Sequence, residues 1–352
     1  MATYSTASSA DAFCTSGSSP TARSPGRASL TDTLTLPDHL FERLSFTPAP
    51  AELRFELQGN PDGPTVVALG GISAHRHVAA HDSDPSPGWW EAVAGPGRAL
   101  DGDRVQILSF DFLSGDLPAG DSFANRRPPS TFDQAEALAF LLDQLQIDSV
   151  RLLAGASYGG MVGLAFAARH PERLERLLTI GAAHRTHPLA TAWRSLQRQI
   201  VQLGLETGRA DRALEIARGL AMTTYRSAAE LESRFDAAPD AAGRFPVEDY
   251  LAARGRAFAA AFEPSRFLAL SESIDRHAVD PLELRVPTTL VYVDSDALVP
   301  PWLVAETARE APGPVHLREL HSLAGHDAFL VESEAVSRLL LEELAAAEGV
   351  SR

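Results

Sequence analysis

The sequence predicts an α/β fold in which helices cover both faces of a mostly parallel sheet. Short apolar runs alternate with longer helical patterns along most of the chain, which is typical of such a sheet. The composition, with 45% hydrophobic and 22% charged residues, is close to that of an average soluble domain. A chain of 352 residues is long enough for one large domain with an inserted subdomain, or for two small domains.

Five strands are expected where apolar runs rich in Leu, Val, Ile or Thr are flanked by turn residues. They lie at residues 65–69, 104–111, 149–154, 177–180 and 288–293. Between about residues 182 and 280 the strand signal disappears and amphipathic helical patterns replace it, which predicts a helical insertion over the sheet. The predicted organisation is therefore an α/β core at 48–181 and 281–348, with a helical lid at 182–280.

Residues 1–32 are expected to form a disordered leader. They consist mainly of Ser, Thr, Ala, Pro and Gly, with too few large apolar side chains to offset the entropy of ordering them. Arg23, Arg27 and the scarcity of acids are similar to a transit peptide, but no apolar segment precedes a cleavage site, so secretion is not expected. A plain flexible tail is the preferred interpretation.

Charge and cysteine content exclude several classes of protein and site. The net charge of −15 would repel a phosphate backbone and the arginines are dispersed, so no nucleic-acid partner is expected. No apolar run reaches the roughly 20 residues that span a bilayer, so no membrane partner is expected either. The single cysteine, Cys14, can form neither an internal disulfide nor a thiolate metal site, which suits a cytoplasmic protein.

The most informative motif is Gly-x-Ser-x-Gly at residues 155–159, between a predicted buried strand and a predicted helix. This is the pattern of a nucleophile elbow, typical of the α/β-hydrolase fold, in which a sharp turn holds the serine hydroxyl clear of the sheet. We therefore expect Ser157 to be a nucleophile and the Tyr158 N–H to donate to the oxyanion. An ordinary turn is the alternative, because the pentapeptide alone is a common pattern.

A serine nucleophile needs a histidine base and a carboxylate that orients the base, in the chain order Ser, then Asp or Glu, then His. Asp294 and Asp296 both follow the strand expected at 288–293, at the sheet edge where sites in this fold collect. Either could be the carboxylate, although a structural turn role is favoured for Asp294. His326 follows in a loop before the last predicted helix.

The loop after the first predicted core strand is rich in glycine and histidine. Its paired glycines permit close approach of the backbone, so the Ile72 N–H or its neighbour is the candidate second oxyanion donor. A purely structural turn is the alternative. His75, His77 and His81 have a spacing that suits a metal, but no carboxylate or cysteine pattern accompanies them, so no metal is expected.

Further short motifs follow one another along the chain. They lie at residues 88–90, 95–97, 155–161, 217–218, 224–227, 230–231, 234–235, 247–251, 295–300 and 325–330. In this order they resemble the homoserine O-acyltransferases of methionine biosynthesis, and the resemblance covers about residues 48–344. So many motifs in register are more specific than one elbow, and they distinguish this family from general esterases.

The resemblance implies a role for each residue at a matching position. Ser157 would be the nucleophile, His326 the general base and acid, and Asp296 the carboxylate that orients the imidazolium. The matching motif thus selects the second of the two candidate aspartates.

The resemblance also implies a grip on an amino-acid substrate. Arg218 would hold the α-carboxylate with Tyr225 nearby, and Asp327 would pair with the α-ammonium group. A planar guanidinium suits a carboxylate in bidentate geometry. For Arg218 a surface salt bridge on a helix is the alternative.

The implied reaction is ping-pong transfer from an acyl-CoA co-substrate to the homoserine hydroxyl through an acyl-serine. The expected partners are these small-molecule substrates, with no bound cofactor and no metal. Similar enzymes are commonly homodimers, so a homodimer is expected.

The chain departs from the family at residues 112–118, where the usual Gly-Ser-Thr-Gly-Pro loop is replaced, and it is trimmed near 204–208. Its loop at 70–77 resembles that of a branch associated with succinyl transfer, so succinyl-CoA is expected as donor over acetyl-CoA. A succinyl group brings a second carboxylate, for which Arg76 and Arg185 are the candidate cations. The alternative for both is a solvated surface position.

Three classes of function remain open: an acyltransferase, a hydrolase with the same residues, and a binding protein without chemistry. The complete set of Ser, Asp and His argues against a pure binder, while Arg218 and Asp327 favour an amino-acid acceptor over water. Serine is the alternative acceptor, because the methylene that separates it from homoserine is worth only about 1–3 kcal/mol of discrimination.

Overall fold

A sheet of eight strands forms the centre of the structure, a computed structural model that describes residues 28–37, 40, 52–114 and 127–350. The strands are β1 (Ala28–Thr35), β2 (Glu52–Gly59), β3 (Thr65–Leu69), β4 (Gln106–Phe110), β5 (Leu152–Ala156), β6 (Leu177–Ile180), β7 (Thr288–Val293) and β8 (Val315–Leu320). Their order across the sheet is β1-β2-β4-β3-β5-β6-β7-β8. β2 pairs antiparallel with both of its neighbours, and the other pairs are parallel, so the sheet is mostly parallel as predicted.

Helices connect most of the parallel strands. They are α1 (Thr131–Gln144) before β5, α2 (Tyr158–Arg169) before β6, and then α3 (Pro188–Glu206), α4 (Ala210–Tyr225), α5 (Ala228–Arg234), α6 (Pro246–Ala259) and α7 (Pro264–Asp275) before β7. After β7 follow α8 (Pro301–Glu310), β8, α9 (Ala328–Val331) and α10 (Ser333–Val350). Among the helices described, none is both long enough and apolar enough to cross a membrane.

The segment predicted as a helical insertion is occupied by α3 to α7, which all lie between β6 and β7. Helix α3 buries only a narrow stripe that includes Ala190 and Val201. It packs closely on α4, since a Cβ at Gly204 would lie 2.2 Å from the Cβ of Ala213. Whether these helices act as a lid stays a prediction.

The strand predictions agree with the structure where the strands are buried. β3, β6 and β7 have the predicted bounds, β4 is shorter, and β5 begins and ends later than expected. The sequence reasoning missed β1, β2 and β8. β8 is an edge strand that is mostly exposed, and β2 alternates buried and exposed side chains along its first half, so neither has the continuous apolar run of a central strand.

The predicted leader needs a correction at its end. Residues 28–32 belong to β1, which pairs antiparallel with β2 along its whole length. Threonines and leucines in this stretch suit a strand, and Leu34 packs against the core, so ladder hydrogen bonds and apolar contact order a segment whose composition alone predicted disorder. Residues 1–27 lie outside the described residues.

Apolar side chains fill both faces of the sheet. One face carries the larger cluster, in which Leu138 of α1 and Phe166 of α2 are fully buried. The other face is covered by the loop around Trp90 and by Leu340 of α10. The buried Trp90 ring also donates from Nε1 to the Phe329 carbonyl oxygen at 3.1 Å, which ties this loop to the segment after β8.

The turn from β5 into α2 is packed tightly against β3. A Cβ at Gly159 would lie 2.3 Å from the Leu69 carbonyl oxygen, and one at Gly155 would lie 2.4 Å from the Gly159 carbonyl oxygen. Both contacts are with backbone, which cannot swing aside as a side chain can. Only glycine therefore fits at these two positions.

We predict that Gly159→Ala lowers the free energy of unfolding by about 1–3 kcal/mol, because its methyl group would overlap the β3 backbone. Gly219→Ala is the matched control in a helix. There the new Cβ would meet Leu251 at an ordinary 3.8 Å, so the variant should be up to about 1 kcal/mol more stable. Denaturant titration measures both, and equal stability of the two variants would contradict the close approach.

Candidate active site

Ser157 occupies a strained turn between β5 and α2. Its φ of 53° and ψ of −120° are rare for a residue with a side chain, and holding them costs on the order of 1–3 kcal/mol. Its N–H donates to the Ile180 carbonyl oxygen at 2.8 Å, and its own carbonyl accepts from the Met161 N–H at 3.1 Å. The turn directs the hydroxyl toward the carboxyl edge of the sheet, where the loops after β7 and β8 also begin.

The structure brings the three predicted side chains into one chain of hydrogen bonds. Ser157 Oγ lies 2.7 Å from His326 Nε2, and His326 Nδ1 lies 2.6 Å from Asp296 Oδ2. In the neutral form of His326 that carries its proton on Nδ1, Nδ1–H donates to Asp296 and Nε2 accepts from the serine hydroxyl. This is the arrangement that a general base needs in order to take the serine proton.

Asp296 is held rigidly. Its side chain is fully buried, and Oδ1 accepts from the backbone N–H groups of Leu298 at 2.8 Å and Val299 at 3.0 Å. Asp294 instead accepts from the Ser322 N–H at 3.0 Å and pairs with His321. The second aspartate therefore faces His326, and the first ties the loop after β7 to the loop after β8.

The pKa of His326 is raised above the ordinary histidine value of 6.5. Burial alone would lower it, but the charge of Asp296 and its hydrogen bond to Nδ1 outweigh burial, and Asp327 adds to the rise. Asp296 thus favours the imidazolium, the form that His326 takes after it accepts a proton.

The predicted oxyanion donors lie beside Ser157. Gly71 is directly opposite the serine, since a Cβ there would lie 3.9 Å from Ser157 Oγ, and the Gly159 N–H donates to the Gly70 carbonyl oxygen at 2.8 Å. Within the described residues, no hydrogen-bond acceptor is found for the N–H of Tyr158 or of Ile72. Within that part of the chain both N–H groups lack a competing acceptor, and their role as oxyanion donors stays a prediction.

The side chain of Tyr158 points away from this chemistry. Its hydroxyl lies 2.7 Å from Ser273 Oγ and 3.4 Å from Gln134 Nε2. Burial raises the pKa of Tyr158 to about 12. The phenol is thus a packed structural group, and only the backbone of this residue can serve the site.

A cavity of about 260 Å³ opens over Ser157 and His326. Arg218 on α4 lines it, with its guanidinium carbon 5.0 Å from the ring centre of Tyr225 and 4.6 Å from that of Phe258. In the described part of the chain, no carboxylate lies within 4.0 Å of Arg218. The alternative of a helix-surface salt bridge therefore does not fit, and Arg218 is a cation that faces the cavity.

Asp327 and Tyr225 also line the cavity, but Asp327 already has a partner. Its Oδ2 lies 3.2 Å from Nη2 of Arg226, which also pairs with Glu230 at 3.1 Å. The Tyr225 ring centre lies 6.0 Å from that of His326. The sequence reasoning missed the role of Arg226, although this residue lies inside the 224–227 motif.

The two arginines expected to meet a succinyl carboxylate do not fit that role. The backbone N–H of Arg76 donates to Asp111 Oδ1 at 2.8 Å, and its guanidinium donates to Asp111 Oδ2 at 2.7 Å. Arg185 pairs with Glu306 at 2.8 Å. Neither lines the cavity, so the sequence-based expectation for both residues is wrong. The expectation rests on their position in predicted loops at the sheet edge, and that position does not reveal their acidic neighbours.

Arg194 and Arg254 line the cavity instead, and the sequence reasoning missed both. They belong to α3 and α6, whose amphipathic patterns make them look like ordinary surface arginines. No local signal in the sequence separates them from the other arginines on these helices.

Among the residues that the structure describes, two groups of side chains have the spacing of metal ligands. His77 and His81 meet Glu56, a carboxylate from β2 that the histidine spacing alone could not reveal, and His184 meets Glu306 and Glu310. His77 has hydrogen-bond partners for both ring nitrogens, Glu56 at 3.0 Å and the Ser86 carbonyl oxygen at 2.7 Å. Hydrogen bonds thus account for His77 without an ion, and the expectation that no metal is needed stays a prediction.

The chain is similar to a known family and to solved structures. The family described as the alpha/beta hydrolase fold matches residues 64–333, which confirms the predicted fold. The crystal structure of homoserine O-acetyltransferase from Bacillus anthracis superposes with a TM-score of 0.76 at 14% identity, over 90% of this chain and 97% of that one. At that identity the superposition shows the fold alone.

Two relatives are more similar in sequence. Homoserine O-succinyltransferase from Xanthomonas campestris pv. campestris is 45% identical over 298 residues, which cover 83% of this chain and 78% of the relative. Serine O-succinyltransferase from Litchfieldella anticariensis is 33% identical over 332 residues, which cover 82% of this chain and 90% of the relative. These matches confirm the resemblance found in the sequence motifs. The chain belongs to the homoserine O-acyltransferase family of the α/β-hydrolase fold.

Proposed function

We propose that this protein transfers a succinyl group from succinyl-CoA to the side-chain hydroxyl of L-homoserine, in methionine biosynthesis. The observation that carries this proposal is the hydrogen-bonded chain Ser157–His326–Asp296 beside a cavity lined by Arg218, which has no carboxylate partner among the described residues. The identity of 45% with a homoserine O-succinyltransferase supports the choice of donor and acceptor.

The first half of the reaction forms an acyl-enzyme. Ser157 Oγ attacks the thioester carbonyl carbon while His326 Nε2 takes the hydroxyl proton, and the Tyr158 and Ile72 N–H groups bind the oxyanion. The tetrahedral intermediate collapses, the C–S bond breaks, and His326 returns the proton to the leaving CoA sulfur. Ser157 then carries the succinyl group as an ester.

The second half reverses the proton path. The homoserine hydroxyl gives its proton to His326 and attacks the ester carbonyl, and Ser157 leaves with the proton that His326 returns. Acyl-CoA enters and CoA leaves before the acceptor reacts, so the kinetics are ping-pong. The chemistry calls for no bound cofactor and no metal, since CoA is a co-substrate.

The acceptor must outcompete water for the acyl-enzyme. Arg218 would bind its α-carboxylate, with Tyr225 stacked beside the guanidinium. Among the described side chains, Arg226 pairs with Oδ2 of Asp327, so Oδ1 would bind the α-ammonium group. Such positioning gives effective molarities that reach about 10⁵ M or more, so a bound hydroxyl reacts ahead of solvent.

We also propose a homodimer in the cytoplasm. Leu189, Leu196 and Leu203 recur at every seventh residue of α3, and they are 48%, 52% and 61% exposed. A seven-residue repeat keeps these side chains on one face of the helix, which suits helix pairing with a second copy. The single cysteine of the chain supports the location.

L-Serine O-succinyltransfer, in cysteine biosynthesis, is the second candidate function. It is supported by the relative from Litchfieldella anticariensis at 33% identity. The two acceptors differ by one methylene, so comparing kcat/KM for homoserine and serine decides between them.

We predict that the purified protein releases CoA from succinyl-CoA and forms O-succinylhomoserine, and that Ser157→Ala reduces kcat by about 10⁴- to 10⁶-fold. Ser195→Ala is the matched control, because that hydroxyl donates to the Ala192 carbonyl oxygen on the same helix and does not line the cavity. A thiol assay and mass spectrometry of the product measure the outcome. Equal CoA release without any amino acid would instead indicate a hydrolase.

The acid limb of the kcat/KM profile is expected to have its midpoint above pH 6.5, because the base must be neutral and the pKa of His326 is raised. Although burial lowers this pKa, Asp296 and then Asp327 raise it. Asp327→Asn removes one of these charges, so the limb should move to lower pH. Asp294→Asn is the control, since Asp294 faces Ser322 and His321. An unmoved limb in Asp327→Asn contradicts this electrostatic coupling.

Arg218→Gln should raise KM for the acceptor by about 10- to 100-fold, because a charge-assisted contact worth about 1.5–3 kcal/mol is lost. The burst of CoA release in the absence of acceptor should stay, since acylation of Ser157 does not involve this guanidinium. Arg212→Gln on the same helix is the control, as Arg212 pairs with Glu215 at the surface. Loss of the burst in Arg218→Gln would assign this residue to the donor instead.

A further inference from the structure

The cavity over Ser157 is strongly basic for a chain of this charge. The whole chain has 46 acidic residues against 31 basic ones, and all of the basic ones are arginine. Yet four arginines line the cavity, Arg194, Arg218, Arg226 and Arg254, and the one carboxylate among the described lining residues is Asp327. Such a concentration of one charge attracts anionic substrates.

Two of these four arginines already have carboxylate partners. Arg194 pairs with Asp275 at 2.6 Å, a carboxylate that it shares with Arg198, and Arg226 pairs with Asp327 and Glu230. For Arg218 and Arg254, no carboxylate of the described chain lies within 4.0 Å. The cavity therefore offers two guanidinium groups whose charge is unmatched within the described protein.

The packing of α4 on α6 brings these two guanidiniums to the same cavity. A Cβ at Gly255 would lie 2.4 Å from the Glu215 carbonyl oxygen, so the backbones of the two helices nearly touch there. Arg254 directly precedes this glycine, and Arg218 precedes Gly219 on the facing helix. Arg218 is half-buried, while Arg254 is exposed on the solvent side.

The proposed reaction brings two carboxylates to Ser157. One is the α-carboxylate of the acceptor, and the other is at the far end of the succinyl chain. Arg218, stacked between Tyr225 and Phe258, is assigned to the first. Because Arg76 and Arg185 are paired with acids outside the cavity, neither is available for the second.

Building on the proposed function, we propose that Arg254 binds the distal carboxylate of the succinyl group and thereby determines the preference for succinyl over uncharged acyl donors. A guanidinium can bind a carboxylate through two parallel N–H···O bonds, which fixes the direction of the chain as well as its charge. Acetyl and butyryl groups carry no carboxylate and gain nothing from this contact.

The test compares three donors, succinyl-CoA, butyryl-CoA and acetyl-CoA, with homoserine as acceptor. Butyryl has the same number of carbons as succinyl but no carboxylate, so the ratio of kcat/KM for succinyl-CoA over butyryl-CoA isolates the contact. Arg254→Gln should lower this ratio by about tenfold or more, the loss expected for one charge-assisted hydrogen-bonded contact. Arg254→Lys, which keeps the charge but not the fork, should restore part of it.

Arg256→Gln is the matched control on the same helix, because Arg256 is exposed and does not line the cavity. It should leave the ratio unchanged. Thermal unfolding of both variants checks that any change in the ratio does not come from loss of folded protein.

Three outcomes would overturn the proposal. Unchanged kcat/KM for all three donors in Arg254→Gln removes the residue from donor recognition. An equal loss with all three donors, which leaves the ratio unchanged, assigns it to the CoA part that they share, or to packing. If the wild-type protein transfers no acyl group to any amino acid, the proposed function fails and the role of Arg254 fails with it. If the wild type prefers succinyl-CoA and Arg254→Gln keeps that preference, the proposed function stands and only the role of Arg254 fails.

Discussion

The site depends on the turn that holds Ser157 between β5 and α2. Ser157 adopts a φ of 53° there, and the glycines at 155 and 159 on either side pack closely against the backbone of α2 and β3. The hydrogen bond from the Gly159 N–H to the Gly70 carbonyl oxygen fixes the same turn to the loop that carries Ile72. One local constraint thus positions the hydroxyl and both candidate oxyanion donors. The strain of this turn costs free energy, and the burial of apolar side chains on both faces of the sheet offsets that cost.

The electrostatics of the site differ from those of the molecule. The chain is acidic as a whole, but its cavity gathers arginines from the helices between β6 and β7. Some of these guanidiniums pair with a nearby carboxylate, and others have no such partner among the described residues and can bind a ligand. The packing of the helices determines which arginines have a partner. The fold that supports the serine and histidine is shared by many enzymes, so residues that distinguish substrates are to be sought among the side chains that line the cavity rather than in the sheet.

Sequence reasoning succeeded where chemistry or burial leaves a local mark. The elbow needs glycine at fixed positions, the central strands need continuous apolar runs, and the order Ser, Asp, His follows from the order of strands in this fold. It failed at β1, β2 and β8, where ladder hydrogen bonds rather than apolar runs define the strand. It also chose Arg76 and Arg185 as cations for the donor, since the acids that neutralise them come from distant parts of the chain.

By itself, the sequence determined the α/β class, the family, and which serine, aspartate and histidine are candidates for the chemistry. These depend on residue types at short spacings, which can be read without coordinates. Only the tertiary structure decided that Arg226 occupies one side of Asp327, and which of the cavity arginines have no carboxylate partner among the described residues. Pairing between charges depends on distances of a few ångströms between segments far apart in the chain, and no local pattern records those distances.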